Sequence, residues 1–208
     1  MPEKCLLILQ IGLTMGKEKY SKDIGALFAR SPVVSHSSIA RIIKKKNKSG
    51  QYAKRYVNYM LAKGKIRRLA KGYYTASDDI SLAVFCFQPA YYGLQDAMSF
   101  HNIWEQETIP IIITTKKIRQ GMRIIFGQNV LIRRIQKKYF FGIGHILQGN
   151  VALPYSDIEK TFIDMIYFNE KPNNDVIAEF RKKIDYKKLN MYLKKYPRKT
   201  QAEILSYS

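Results

Sequence analysis

Cysteine is almost absent from this chain: Cys5 and Cys86 are the only two in 208 residues. They stand far apart and in no metal-ligand spacing, which excludes a disulfide framework and a cysteine zinc site, and a reducing intracellular home is expected. Histidine is also scarce. His36, His101 and His145 are scattered, with no i, i+4 pair for zinc and no serine or cysteine elbow nearby, so each reads as a local hydrogen-bonding residue. Long apolar runs are missing. The run Cys5 to Leu13 (CLLILQIGL) follows Lys4, lacks a small-residue cleavage site and is too short to span a bilayer. It reads as a buried strand or helix, and a cytoplasmic protein without a membrane partner is expected.

Acidic residues are few, 16 against 36 Lys and Arg, which leaves a formal charge of +20 and a pI near 9.9. Such a surface attracts polyanions, chiefly nucleic acid. With 46% hydrophobic and 12% aromatic residues the chain is expected to be globular. The charge is concentrated. Residues 17–76 carry 16 Lys and Arg against only Glu18 and Asp23, whereas residues 77–150 hold 8 basic and 5 acidic, and residues 151–208 hold 11 and 8. That asymmetry marks one nucleic-acid-facing module joined to a second with other duties.

In the first module, Ile24, Leu27 and Phe28 recur at helical spacing from Lys22 to Ala29, and Pro32 ends the helix by disfavouring helical backbone at Ser31. Val33 and Val34 read as a brief strand. Ser35, Ser37 or Ser38 then caps a second helix with Ile39, Ile42 and Ile43 inward. After Lys44, Lys45, Lys46 and Lys48, a turn at Asn47, Ser49 and Gly50 leads into a third helix with the apolar stripe Ala53, Val57, Met60 and Leu61, stopped by Gly64. Ile66 to Leu69 and Tyr73 to Thr75 flank Lys71-Gly72 as two short strands. This order predicts a winged helix-turn-helix over residues 17–76, whose third helix lies in a major groove.

On that helix Gln51, Tyr52, Lys54, Arg55, Asn58 and Tyr59 fall off the apolar stripe. Arg55 matches guanine bidentately and Gln51 or Asn58 matches adenine. Lys44, Lys45, Lys46, Lys48, Lys54 and Lys63 are expected to hold phosphate, and Arg67, Arg68 and Lys71 to bring the wing against neighbouring backbone or minor groove.

Residues 77–168 read as a mixed α+β domain. A helix is expected over Tyr91–Phe100, strands at Ile109–Thr115, Arg123–Phe126, Val130–Ile135, Phe140–Ile143 and Val151–Leu153, and a helix over Asp157–Phe168. Residues 169–208 read as a basic helical tail of two or three helices. The fold class is therefore α+β: a winged helix-turn-helix, a mixed domain and a helical tail.

The one compact acidic cluster in the sequence that could serve an active site is Asp157, Glu159 and Asp164. Its spacing fits neither a nucleotidyltransferase, which places carboxylates after a Gly-Ser turn, nor a nuclease, and acids are favoured at a helix N-terminus in any case. Gly142-Ile-Gly144 lacks the third glycine of a phosphate loop. Tyr139-Phe140-Phe141 reads as core packing more readily than as a base-stacking surface. No enzyme, metal or cofactor is expected.

Three stretches resemble AbiEi-type antitoxins, the regulator half of type IV AbiE toxin–antitoxin systems. The first is Leu61 to Tyr74 (LAKGKIRRLAKGYY), similar to the family's leucine, basic, glycine, basic wing and Gly-x-Tyr passage. The second is Pro89 to His101 (PAYYGLQDAMSFH), followed by the Pro110 strand. The third is Asp157 to Asp164 (DIEKTFID). Together they cover roughly residues 22–168. The resemblance implies a repressor that binds operator repeats near its own gene as double-stranded DNA and opposes a nucleotidyltransferase-like toxin, functionally and without need of a stable complex. The competing readings are a transcription regulator unrelated to a toxin, and an RNA-binding protein or nuclease.

Overall fold

The structure, a computed structural model, describes residues 20–44 and 50–207. It is a mixed α+β chain of two compact units that divide between Leu82 and Ala83. Cys5 to Leu13, Asn47 and Ser49 lie outside the described residues.

In the first unit, α1 covers 20–30 and stops before Ser31-Pro32, as the proline requires. Then come β1 (Val34–Ser35), α2 (His36–Lys44), α3 (Gly50–Ala62), β2 (Arg67–Ala70) and β3 (Tyr73–Thr75). The three strands form one antiparallel sheet in the order β1-β3-β2, with Val34 opposite Tyr74 and Arg68 also opposite Tyr74. Of the three serines, Ser35 caps α2: its Oγ accepts the Ser38 N–H at 3.1 Å. The end of α3 is closed by Gly64 at φ +64. There the Lys65 N–H donates to the Met60 carbonyl and the Gly64 N–H to the Leu61 carbonyl, each at 3.0 Å, a pairing that needs left-handed backbone at the glycine. Ile24, Ile39, Ile43, Ala53, Val57 and Ile66 share one core with Tyr20, Tyr56 and Tyr74. Ile42, Met60 and Leu61, expected inside, are only half-buried.

A 3-10 stretch, Ile80–Cys86, leads into the second unit. Cys86 is buried there as a free thiol, and burial pushes it up to about 12. The unit contains β4 (Ala90–Tyr92), α4 (Leu94–Phe100), β5 (Ile111–Thr114), β6 (Gly121–Ile125), β7 (Gln128–Arg134), a 3-10 turn (Lys137–Tyr139), β8 (Ile143–Gln148), β9 (Val151–Ser156), α5 (Ile158–Tyr167), α6 (Asn174–Lys183), α7 (Tyr186–Leu193) and α8 (Arg198–Leu205). Its sheet runs β6-β7-β5-β4-β9-β8. The inner strands β4 and β5 are buried along their whole length, as expected of strands covered on both faces.

Two expectations change. The helix over Tyr91–Phe100 begins only at Leu94, because Tyr91 pairs with Ile113 of β5 and Tyr92 with Tyr155 of β9, drawing Ala90–Tyr92 into the sheet. The strand over Phe140–Ile143 is displaced. Gly142 turns the chain at φ +67, and the strand is Ile143–Gln148, paired with Val151–Ser156 across Gly149-Asn150.

Residues 169–208, set apart above as a tail, supply three helices to the core of the second unit. Val176, Phe180, Leu189, Leu193, Tyr196 and Ile204 are buried there together with Phe162, Ile163 and Ile166 of α5.

Candidate nucleic-acid interface

The face of α3 turned from the core is polar throughout. Gln51, Lys54, Arg55 and Asn58 are all exposed, and their spacing of three and four places them on one helical stripe. Tyr52 and Tyr59 differ from them. Both are half-buried, with the Tyr52 ring 5.5 Å from Tyr20 and the Tyr59 ring 6.3 Å from Tyr56. Burial pushes the Tyr52 and Tyr56 phenols up, so these rings serve packing first.

Lys63 is exposed just past the end of α3, and Lys44 is exposed at the end of α2. Arg41, one turn before Lys44, is exposed in the same last turn and was missed above. Its i, i+3 spacing from Lys44 is the signal that finds it. Lys45, Lys46 and Lys48 lie outside the described residues.

The β2–β3 hairpin carries the remaining cations. Arg67 and Arg68 are exposed on β2, and Lys71 is exposed in the turn, where Gly72 takes φ +80. Arg67 approaches Asp78 at 3.9 Å, with both side chains largely in solvent, so the pair holds little. Among the described residues no carboxylate pairs with Lys44, Lys54, Arg55, Lys63, Arg68 or Lys71. Exposed cations of this kind on a helix and an adjoining hairpin make a surface of one charge sign.

The acidic cluster of the second unit is engaged internally. Asp157 caps α5, its Oδ1 accepting the Lys160 N–H at 2.8 Å, while its Oδ2 accepts from the Tyr192 hydroxyl at 2.9 Å. Glu159 accepts the Asp185 N–H at 2.9 Å and meets Lys188 at 2.8 Å. Burial alone would pull the Lys188 ammonium down, but the hydrogen bonds it donates to Glu159 and Asp157 outweigh that and hold it above its usual range.

Asp164 and Lys160 are both fully buried and form an ion pair one helical turn apart. The Tyr91 hydroxyl donates to Asp164 Oδ2 at 2.6 Å, the Tyr196 hydroxyl to Oδ1 at 3.2 Å, and Lys160 donates to the Tyr196 oxygen at 2.7 Å. The Tyr91, Phe141 and Tyr196 rings surround the ammonium at 5.4–5.5 Å. Burial pushes the Asp164 carboxyl up and the Lys160 ammonium down, and each partner's charge works against that. No group of three or more His, Cys, Asp or Glu among the described residues is placed to hold a metal ion, and none of the described helices is long and apolar enough to cross a membrane.

Gly142 closes this network from the loop side. Its carbonyl accepts the Asp157 N–H at 2.9 Å, and a Cβ there would lie 2.9 Å from both Lys160 Cβ and Tyr192 Cε2. Gly142→Ala is therefore expected to cost about 2–3 kcal/mol in urea unfolding, from strained left-handed backbone plus overpacking. Gly144→Ala has open space around it and is expected to stay within about 1 kcal/mol. Equal midpoints for the two variants would contradict this packing.

The fold and this surface define a class no finer than a mixed α+β protein with a cationic helix-and-hairpin face. No protein-family profile matches the chain, and no curated protein matches it. Among solved structures the chain is similar to the crystal structure of the RV2827C protein from Mycobacterium tuberculosis, with a TM-score of 0.55 at 12% identity, covering 87% of this chain and 73% of that one. That likeness extends to the fold alone.

Proposed function

We propose that this chain is a sequence-specific DNA-binding transcriptional repressor whose first unit is a winged helix-turn-helix, acting as the antitoxin of a type IV toxin–antitoxin pair. The observation that carries the DNA-binding part is the exposed stripe Gln51, Lys54, Arg55 and Asn58 on α3 beside a hairpin bearing Arg67, Arg68 and Lys71. The element order helix, strand, helix, helix, hairpin and the β1-β3-β2 sheet support it, since a winged helix builds its wing from the last two strands. In this reading α3 enters the major groove, Arg55 reads guanine, and Gln51 or Asn58 reads adenine. Lys44, Lys54, Lys63, Arg68 and Lys71 hold phosphate.

The antitoxin part rests on the resemblance of the Leu61–Tyr74, Pro89–His101 and Asp157–Asp164 stretches to the AbiEi-type regulators. Its partner would be a nucleotidyltransferase-like toxin encoded beside it. A neighbouring gene of that class separates this reading from a plain regulator.

Arg55→Ala tests base reading. Arg55 is exposed, so the fold should stand. Affinity for the specific duplex is expected to fall by about 1–3 kcal/mol, with much less change on random duplex. Equal losses on both in a fluorescence-anisotropy titration would remove Arg55 from the reading set.

A further inference from the structure

The second unit holds a cleft that the DNA-binding reading does not use. It opens between α4 and the β8–β9 hairpin with a volume of roughly 430 Å3, within the size range of small-molecule sites. Phe100 and Tyr155 line it as a stacked pair, ring centroids 4.7 Å apart and planes at 30°. Phe100 remains 42% exposed and Leu147, also lining the cleft, 72% exposed, so aromatic and aliphatic surface faces the opening. Exposed apolar side chains gathered around a concavity mark a binding surface more often than isolated ones do.

Asp96, on the first turn of α4, supplies the charge. One of its oxygens, Oδ2, accepts the Ile111 N–H at 3.1 Å. Among the described residues no other hydrogen-bond donor or cation meets this carboxylate. A mostly buried carboxylate held by a single backbone bond, in a cleft that mixes polar side chains such as Ser99 and Gln148 with aromatic and aliphatic ones, lacks the counter-charge that such groups ordinarily have. In a protein with a +20 charge that omission is notable, because cations are abundant elsewhere on the chain.

We propose that this cleft binds a small organic cation, an amine carrying an aromatic or aliphatic body, with its ammonium on Asp96 and its body against Phe100, Tyr155 and Leu147. Burial pushes the Asp96 carboxyl up to about 7, and an ammonium beside its second oxygen favours the ionised form. The inference concerns the second unit alone and stands independently of the DNA-binding reading.

The test is isothermal titration of the full chain, without DNA, using phenethylamine and tryptamine, with phenethyl alcohol as the uncharged control and phenylacetate as the anionic one. Both amines are expected to bind saturably at ~0.1–1 mM, as suits ligands of this size. The alcohol is expected to bind at least ~10-fold more weakly and phenylacetate not at all. Asp96→Asn keeps an acceptor for the Ile111 N–H and is expected to reduce amine binding to the level of the alcohol, with a urea midpoint no lower than that of the parent chain as the check on folding, since the neutral amide avoids the cost of a buried carboxylate. Phe100→Ala, at an exposed position, is expected to weaken amines and alcohol alike. Absence of saturable binding by both amines, equal binding of amine and alcohol, or undiminished amine binding by folded Asp96→Asn would each overturn the proposal.

Discussion

Asp164→Ala is expected to lower the unfolding free energy of the second unit by about 3–5 kcal/mol, the range for removing one partner of a buried ion pair. Three donors lose their acceptor at once: the Lys160 ammonium and the Tyr91 and Tyr196 hydroxyls. Lys160 has no exposed surface through which water could replace the carboxylate. It would have to give up its proton or draw the packing of α5 apart, and each route costs free energy. Lys160→Met combined with Asp164→Leu removes the charge from both sides and is expected to cost less than Asp164→Ala alone. Equilibrium urea unfolding followed by tyrosine fluorescence measures both. A loss below about 1 kcal/mol for Asp164→Ala would mean that the pair is not buried as described.

The second large effect lies on the first unit. Replacing Lys54, Arg68 and Lys71 together by alanine touches only exposed side chains that have no acidic partner among the described residues, so the unit should fold as before. If each holds one phosphate, the slope of log affinity against log salt should fall by about 2–3. Binding at physiological salt should then drop by roughly 10²-fold on specific and random duplex alike. That uniform loss distinguishes phosphate contacts from base contacts such as that assigned to Arg55. An unchanged salt slope would remove these three residues from the interface.

Local signals made the first unit legible. Ile24, Ile39 and Ile43 recur at helical spacing and are buried, Pro32 and Gly64 mark helix ends, and Gly72 marks the hairpin turn. Each is a property of a few adjacent residues. The second unit depends more on distant partners. Tyr91 and Tyr92 resembled the start of a helix because the strands that claim them, β5 and β9, lie far along the chain. The edge strand Ile143–Gln148 is half-exposed and interrupted by Gly144, so it shows no clean alternation.

The candidate site divides in the same way. The stripe Gln51, Lys54, Arg55 and Asn58 follows from helical periodicity, and the structure exposes all four. Tyr52 and Tyr59 share that side of the helical wheel, yet their contacts with Tyr20 and Tyr56 draw them half inward. In α5 the pattern of Ile158, Phe162, Ile163 and Ile166 implies a one-sided helix. Instead every residue from Glu159 to Ile166 is buried. Lys160 and Asp164 are admitted there because Tyr91 and Tyr196, 73 and 32 residues away from Asp164, complete the pair's hydrogen bonds, and Glu159 because Asp185 and Lys188 meet it.

The most direct test of the central claim is titration of the purified protein, at physiological salt, against duplex DNA from upstream of its own gene, beside a scrambled duplex and a matched RNA. The account predicts tight binding to the upstream duplex, with the scrambled duplex at least ~10³-fold weaker and no preference for RNA. Equal binding to all three, or preference for the RNA, would contradict it.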